Sequence, residues 1–254
     1  MVVSIAQAQL FFLALTRILT MIINIPVLGG QLIPNTVKLG LGIMLAMVLL
    51  PWQPLPADTP AMPIFVMGLG IFQEMIIGLL AGFAAILTFG AVQIAANFMG
   101  LNTGFAAGEI LNPTFGNRGA AYDNLFIMVC TLYFLVIDGH HIFLRGLALT
   151  FEAIPLHSKL PELSIQPLMH MTSTLIIAGV QLSLPIIGTV VLTDLTLGLL
   201  ARVAPQVQVF FLGIPLKILI SILGLSVVFN FLLPSIRELF QALAMRGLEL
   251  LGPG

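Results

Sequence analysis

The segment between Met75 and Gly108 constrains the fold most, because it contains neither a charged residue nor a proline. A continuous α-helix of this length would reach roughly 50 Å, well beyond a hydrocarbon core of about 30 Å. The segment must therefore bend, break or extend beyond a bilayer. Its candidate bends are the glycines Gly78, Gly82, Gly90, Gly100, Gly104 and Gly108.

Several of these glycines are four residues apart, the spacing that lets helix backbones touch. The pairs are Gly78 with Gly82, Gly100 with Gly104, and Gly104 with Gly108. The pattern favours close helix packing, although glycines without partners facing lipid would give the same spacing.

Composition excludes an ordinary soluble domain. Hydrophobic residues make up 59% of the chain and charged residues 7%, against about 45–50% and about 25% in soluble proteins. With a net charge of −1 and scattered basic residues, the chain has no basic face for nucleic acid. Cys130 is the single cysteine, which excludes an intramolecular disulfide and a cysteine-based metal cluster. The segment Met1–Leu15 has no cationic residue, so we interpret it as a retained first helix.

Prolines divide the chain, since proline ends or kinks helices. Residues 51–63 and 154–167 are predicted to be connectors within one domain covering residues 1–254. The apolar runs are Val3–Ile25, Asn35–Leu50, Ile64–Leu111, Asp123–Phe151, Leu168–Leu184, Ile186–Ala204 and Phe210–Leu233. The pattern predicts an all-α, membrane-associated fold of helical hairpins with about six long, bent helices.

Residues 235–251 are predicted to form a C-terminal amphipathic helix, with Ser235 as N-cap and Glu238 completing a capping box. Its apolar face would hold Ile236, Leu239, Phe240 and Leu243, and its polar face Arg237, Glu238 and Gln241. The apolar face would meet a membrane interface, a partner helix or its own chain.

Charged residues inside or beside the apolar runs predict partners. They are Arg17, Glu74, Asp138, Arg145, Asp194, Arg202 and Lys217. An Arg, Lys or Asp at a helix centre costs about 2.5–3.5 kcal/mol on insertion scales. We therefore expect pairing within the chain, contacts with other subunits or a water-filled lumen. For Arg202 and Lys217, each close to a proline, a position at a segment end is the alternative.

The cluster Asp138, His140 and His141 raises the possibility of a metal or catalytic site. Adjacent histidines on a helix diverge by about 100°, which makes them poor joint ligands. Asp138, His141 and Arg145 instead have the spacing of one helical stripe, which favours a structural network over a metal. With no nucleophile elbow, Walker loop or dinucleotide motif in the sequence, neither an enzyme nor a cofactor is predicted.

Motifs along almost the whole chain resemble the FliR family of flagellar export and the related SctT proteins of virulence-type secretion. In the first half they are Arg17, Pro26, Pro34 to Gly40 with Lys38, Gln73 to Gly78, Gly82-Phe83 and Ala91 to Ala95. Further along they are Gly104-Phe105, Asn112-Pro113, Asp138 to His141, Ile154-Pro155, Leu184-Pro185, Leu197 to Gln206 and Phe210 to Ile218.

The resemblance implies a core subunit of a helical, multi-subunit export gate that passes unfolded flagellar proteins. It implies FliP-like and FliQ-like partners, FlhB-like and FlhA-like export components, and a place in the bacterial inner membrane within the flagellar basal body. The same resemblance implies that residues 104–119 form a loop that plugs the channel. The residues implied for this plug are Gly104, Phe105, Ile110, Asn112, Pro113, Phe115 and Gly119. An ordinary connector is the alternative, and the acidic Glu109 among these apolar residues has an open role.

Three other functions compete with a flagellar gate subunit. One is the equivalent subunit of a virulence-type injectisome. Another is a small-solute transporter, for which the stretch from Pro185 to Asp194 is the best feature. The third is a membrane hydrolase using Asp138, His140 and His141.

Overall fold

A computed structural model describes residues 4–30, 33–50, 61–104, 120–156, 165–206 and 208–252. The prediction of an all-α fold is confirmed, since the described residues form helices and contain no strand. The helices are α1 (Ile5–Asn24), α2 (Pro26–Gly29), α3 (Asn35–Leu49), α4 (Ile64–Asn102), α5 (Ala120–Val136), α6 (Gly139–Ala153), α7 (Ile165–Val203), α8 (Val209–Gln241) and α9 (Leu243–Glu249). Most of the predicted connectors 51–63 and 154–167 lies outside the described residues.

Local chemistry sets both ends of α1. Ser4 is its N-cap: the Ser4 hydroxyl accepts a hydrogen bond from the Gln7 amide, and the Gln7 side chain accepts one from the Ser4 amide. At the other end Ile25 is extended, as expected for a residue before proline, and Pro26 begins α2. The Lys38 ammonium donates to the Gly29 carbonyl at the end of α2, where helix carbonyls lack partners.

Helix α4 is the overlong apolar segment. It runs without interruption over 39 residues, from Ile64 to Asn102, which corresponds to about 58 Å. The glycines from Gly78 to Gly100 therefore do not break the helix. The regular helix ends just before Gly104, where a φ of 84° turns the backbone into a conformation that glycine adopts without strain.

Prolines interrupt fewer helices than predicted. The runs on either side of Pro185 form the single helix α7, and α8 contains both Pro215 and Pro234. Ser235 therefore lies inside α8, and its prediction as the N-cap of a separate helix is wrong. Side-chain hydroxyls accompany the proline in α7, since Ser183 donates to the Val180 carbonyl and Thr189 to the Pro185 carbonyl. In membrane helices such groups and neighbouring helices compensate for the missing amide donor.

The predicted run 123–151 is instead broken into α5 and α6. The amides of Ile137 and Asp138 donate to the carbonyls of Tyr133 and Leu135, which closes the last turn of α5. Asp138 has a φ of 58°, and aspartate is one of the few residues that adopt this left-handed conformation with modest strain. Helix α6 then begins at Gly139.

The chain divides into two compact units, each assembled from segments that are distant in sequence. Unit 1 comprises Met1–Leu87, Gly139–Met171 and Gln241–Gly254, and unit 2 comprises Thr88–Asp138 and Thr172–Phe240. Within unit 2 the rings of Phe89, Phe134 and Phe240 pack with centroids 4.9–5.2 Å apart. That one domain covers residues 1–254 stays a prediction.

Near the C-terminus, burial separates the apolar from the polar side chains, although residues 235–251 do not form one helix, since α8 ends at Gln241 and α9 begins at Leu243. Ile236, Leu239, Phe240 and Leu243 are all buried, whereas the predicted polar side chains are exposed.

Among the described residues, four helices are long and apolar enough to cross a membrane: Ile5–Asn24, Ile64–Asn102, Ile165–Val203 and Phe211–Glu249. The broken pair α5 and α6 would count as a fifth span if it crosses as one. These lengths agree with the predicted membrane-associated fold.

Candidate functional site

Within the part of the chain that the structure describes, the most deeply buried charged side chains lie in unit 1, on α1 and α4. The Arg17 Nε donates a hydrogen bond to Glu74 Oε2 at 2.5 Å, and the two side chains are 0% and 3% exposed. A buried ion pair of this kind holds together only with good geometry and further hydrogen bonds, because both charges have lost their water. These two charged residues therefore pair with each other within the chain.

The rest of the Arg17 guanidinium faces the end of α6. Its Nη1 donates to the carbonyl oxygens of Thr150 and Ile154, both at 2.8 Å. The Arg17 Cζ also lies 4.5 Å from the centroid of the Phe151 ring, within cation–π range. Its Nη2 is buried and has no hydrogen-bond partner among the described residues.

Two glycines of α4 let α1 approach closely enough to bury this site. A Cβ on Gly78 would come within 2.6 Å of the Arg17 carbonyl oxygen and would also overlap the Thr20 hydroxyl. A Cβ on Gly82 would come within 2.7 Å of the Asn24 side-chain nitrogen and 3.2 Å of the Met21 Cα. The predicted backbone contact through Gly78 and Gly82 is therefore confirmed.

The other predicted glycine positions behave differently. A Cβ on Gly100 would overlap the Asp123 carboxylate, so this glycine makes room for a side chain rather than a backbone. A Cβ on Gly104 would lie 3.6 Å from the Lys217 Cβ, an ordinary contact distance. Gly90 has open space around it, and Gly108 lies outside the described residues.

A second ion pair lies in unit 2, between α7 and α8. The Lys217 Nζ is 2.5 Å from Asp194 Oδ1, and the side chains are 24% and 48% exposed. Leu192, Leu195 and Leu199 are exposed on the same helix as Asp194. The pair therefore lies on a largely apolar surface.

The cluster after α5 has a different geometry from the one predicted. Because Asp138 precedes α6, it does not share a helical stripe with His141 and Arg145, and that prediction is wrong. The His140 and His141 rings lie 4.2 Å apart at 36°, closer than divergent neighbours on a helix would be. Within this local turn, ligand atoms of Asp138, His140 and His141 lie within 4.8 Å of one another.

That proximity alone defines neither a metal site nor a catalytic one, since Asp138 and His141 are exposed. A polar network of these residues and the absence of enzymatic activity both stay predictions.

The remaining predicted residues lie at the surface or outside the described residues. Arg145 is exposed, and Arg202 is exposed in the last turn of α7, where a cation is favourable. The proposed plug residues Phe105, Ile110, Asn112, Pro113, Phe115 and Gly119 all lie outside the described residues, and only Gly104 can be placed.

Sequence reasoning missed the backbone and aromatic partners of Arg17. Charge patterns identify ions but not the carbonyl groups of Thr150 and Ile154. The sequence signal that could have located these carbonyl groups is Ile154-Pro155, because a helix that ends before a proline leaves carbonyls that need hydrogen-bond donors. The side chain of Gln9 was missed as well; it both donates to and accepts from the Met62 backbone, at 3.0 and 2.8 Å.

Comparison with known proteins agrees with this architecture. Residues 8–243 match the family described as "Bacterial export proteins, family 1". The flagellar biosynthetic protein FliR of Pectobacterium carotovorum is 32% identical over 91% of this chain and 88% of its own length. FliR of Escherichia coli is 30% identical over 92% and 89%. The secretion system apparatus protein SsaT of Salmonella typhimurium is 32% identical over 63% and 62%.

Long apolar helices with few charged residues define an all-α membrane protein. The match to the export family covers most of the chain, and FliR relatives align with about nine tenths of it. The chain therefore belongs to the FliR family of bacterial export proteins, as its motifs indicated.

Proposed function

We propose that this chain is a core subunit of the flagellar type III export gate and helps to form the channel through which unfolded flagellar proteins leave the cell. The observation that carries this proposal is the alignment with FliR proteins of E. coli and P. carotovorum over about nine tenths of the chain. Their name, flagellar biosynthetic protein, supports a role in building the flagellum.

The apolar surface supports a role inside an assembly. In the most apolar stretch of α4, 56% of the residues are buried, whereas in that of the Phe211–Glu249 span only 17% are buried. Large side chains such as Val203, Phe211 and Phe231 are more than two-thirds exposed. Lipid or other subunits must cover this surface, because contiguous apolar patches of this kind are rare on isolated proteins.

Asp194 and Lys217 are proposed as a subunit contact. Lys217 is 2.5 Å from one oxygen of Asp194, and Asp194 remains half exposed beside leucines. Hydrocarbon cannot form hydrogen bonds with the remaining polar atoms of this ion pair, whereas a polar side chain of a neighbouring helix can. Arg145 and Arg202, also exposed, are proposed as further contacts, and Asp138, His140 and His141 as a polar network.

The proposed partners follow from family membership. They are FliP-like and FliQ-like gate subunits and FlhB-like and FlhA-like export components, in the inner membrane within the flagellar basal body. Purification through a tag on this chain in mild detergent, followed by native mass measurement, tests the proposal. We expect small hydrophobic subunits of the same operon or regulon to accompany it, and recovery of a folded, solitary monomer would contradict this.

Residues 104–119 are proposed as the channel plug, with Phe105, Ile110 and Phe115 as its apolar tips. The turn at Gly104, where the long helix has ended, supports a loop that starts at this point. Deleting residues 105–115 is expected to let small ions leak across the membrane while the complex still assembles. An ion-tight membrane with an assembled complex would refute the plug.

The export role itself is tested in cells. Deleting the gene should abolish secretion of rod and hook proteins, and a plasmid copy should restore it. Normal secretion without the gene would refute the proposal. The relationship to SsaT supports one alternative, an injectisome subunit; in that case the deletion strain would keep its flagella and lose injectisome secretion.

A further inference from the structure

The last turn of helix α6 has an unfavourable charge for a helix C-terminus. Its last turn contains no basic residue, and it contains the acidic Glu152. Because the carbonyl end of a helix carries partial negative charge, an acidic residue there is unfavourable and a cation is favourable. The chain continues with Ile154 and Pro155, and Ile154 is buried, so its backbone carbonyl needs a donor from the protein.

Arg17 of α1 supplies both a positive charge and hydrogen-bond donors at this helix end. The Thr150 carbonyl accepts hydrogen bonds from both the Ile154 amide and Arg17 Nη1, and the Ile154 carbonyl accepts one from Arg17 Nη1. The guanidinium thus brings positive charge to the end of α6 and donates to two carbonyl groups. Its proximity to Phe151 adds a contact to the same turn.

Glu74 holds the guanidinium from another side. It accepts from Nε, which leaves Nη1 free to face α6. A planar guanidinium provides these separate donor directions at once, whereas the ammonium of lysine is a single point charge. Arg17 therefore makes two separable interactions. Its charge is balanced by Glu74 at Nε, and its Nη1 caps the end of α6.

We propose that Arg17 is a positioning residue whose main role is to cap α6 from α1, and that Glu74 serves to orient it. This assignment goes beyond the proposed export function, because it concerns how unit 1 fixes the end of α6 in any assembly. All contacts that carry it lie within unit 1.

Hydrogen exchange measured by mass spectrometry on the purified complex separates the cap from the charge balance. In Arg17→Met/Glu74→Met both charges are gone, so no buried ion is left unbalanced, but the cap is missing. We expect peptides covering residues 147–156 to exchange about tenfold faster or more, the size expected for losing hydrogen bonds to a charged group. Peptides covering residues 76–86 of α4 should exchange at nearly the original rate.

Two milder variants keep the test decisive if the double variant folds poorly. Glu74→Gln retains an oxygen that accepts from Nε, so residues 147–156 should stay protected. Arg17→Lys keeps the charge but not the fork of donors, so protection of these residues should fall while α4 is unchanged. Wild-type protection of residues 147–156 in Arg17→Lys or in the double variant would overturn the proposal, as would equal loss in Glu74→Gln and Arg17→Lys.

Discussion

The two ion pairs of this chain have similar geometry and opposite surroundings. Arg17–Glu74 and Lys217–Asp194 each have a closest N–O distance of 2.5 Å. The first is almost completely buried and receives further contacts from α6, whereas the second is partly exposed on a mostly apolar surface. Distance alone therefore does not assign a role: the buried pair links helices of its own unit, whereas the other pair leaves part of its polar surface exposed.

The largest expected effect comes from removing one partner of the buried pair. Glu74→Met leaves the Arg17 guanidinium buried and unbalanced, which should lower the free energy of unfolding by about 3–5 kcal/mol. Denaturant unfolding of the purified complex measures this. Arg17→Met/Glu74→Met should recover much of the loss, and wild-type stability in Glu74→Met would remove the contrast between the two pairs.

The next effect concerns the glycine that lets α1 reach α4. Gly78→Ala places a methyl group against the Arg17 carbonyl and the Thr20 hydroxyl, and such overpacking should cost about 1–3 kcal/mol. Gly68→Ala on the same helix is the matched control, because nothing lies within 4 Å of its Cβ position. The same unfolding measurement is used, and equal stability of both variants would show that close packing at Gly78 is unimportant.

The exposed pair should affect assembly more than stability. Asp194→Asn is expected to change the free energy of unfolding of this chain by less than about 1 kcal/mol, as for other partly exposed pairs. Recovery of partner subunits through a tag on this chain should fall measurably. The exchanged pair Asp194→Lys/Lys217→Asp tests whether charge alone matters. If Asp194→Asn lowered the free energy of unfolding as much as Glu74→Met does, both ion pairs would serve to stabilise this chain.

The smallest effect is expected at Arg202. It is exposed in the last turn of α7, so Arg202→Gln should change the free energy of unfolding by no more than about 0.5–1 kcal/mol, the contribution of a cation at a helix end. Arg17→Gln provides the comparison, with a much larger loss. Similar losses in both would mean that burial does not distinguish these arginines.

Much of the fold was predictable from the sequence. The all-α class, the long apolar helix α4 that begins after the first connector and the apolar residues around Ile236 and Phe240 all follow from composition and periodicity. The breaks at Pro185 and Pro234 were predicted wrongly, because neighbouring helices can stabilise a helix that has lost one amide donor. The predicted helical stripe from Asp138 to Arg145 was wrong, because Asp138 has a left-handed backbone conformation and α6 begins only at the next residue.

The candidate sites were predicted only in part. Charges inside apolar runs pointed to Arg17, Glu74, Asp194 and Lys217, because isolated ions are costly there. The spacing of these residues in the sequence does not show which of them form ion pairs. Arg17 lies 57 residues from Glu74 and 133 residues from Thr150, and no local pattern connects such positions.

The sequence by itself determined that this chain is helical, suited to a membrane and related to FliR, because hydropathy, proline positions and motifs are local properties. Only the tertiary structure decided that α1 closes the end of α6 and that one ion pair is buried while the other faces outward. The physical reason is that the value of a charge depends on its solvent and its neighbours, and both are set when distant helices pack.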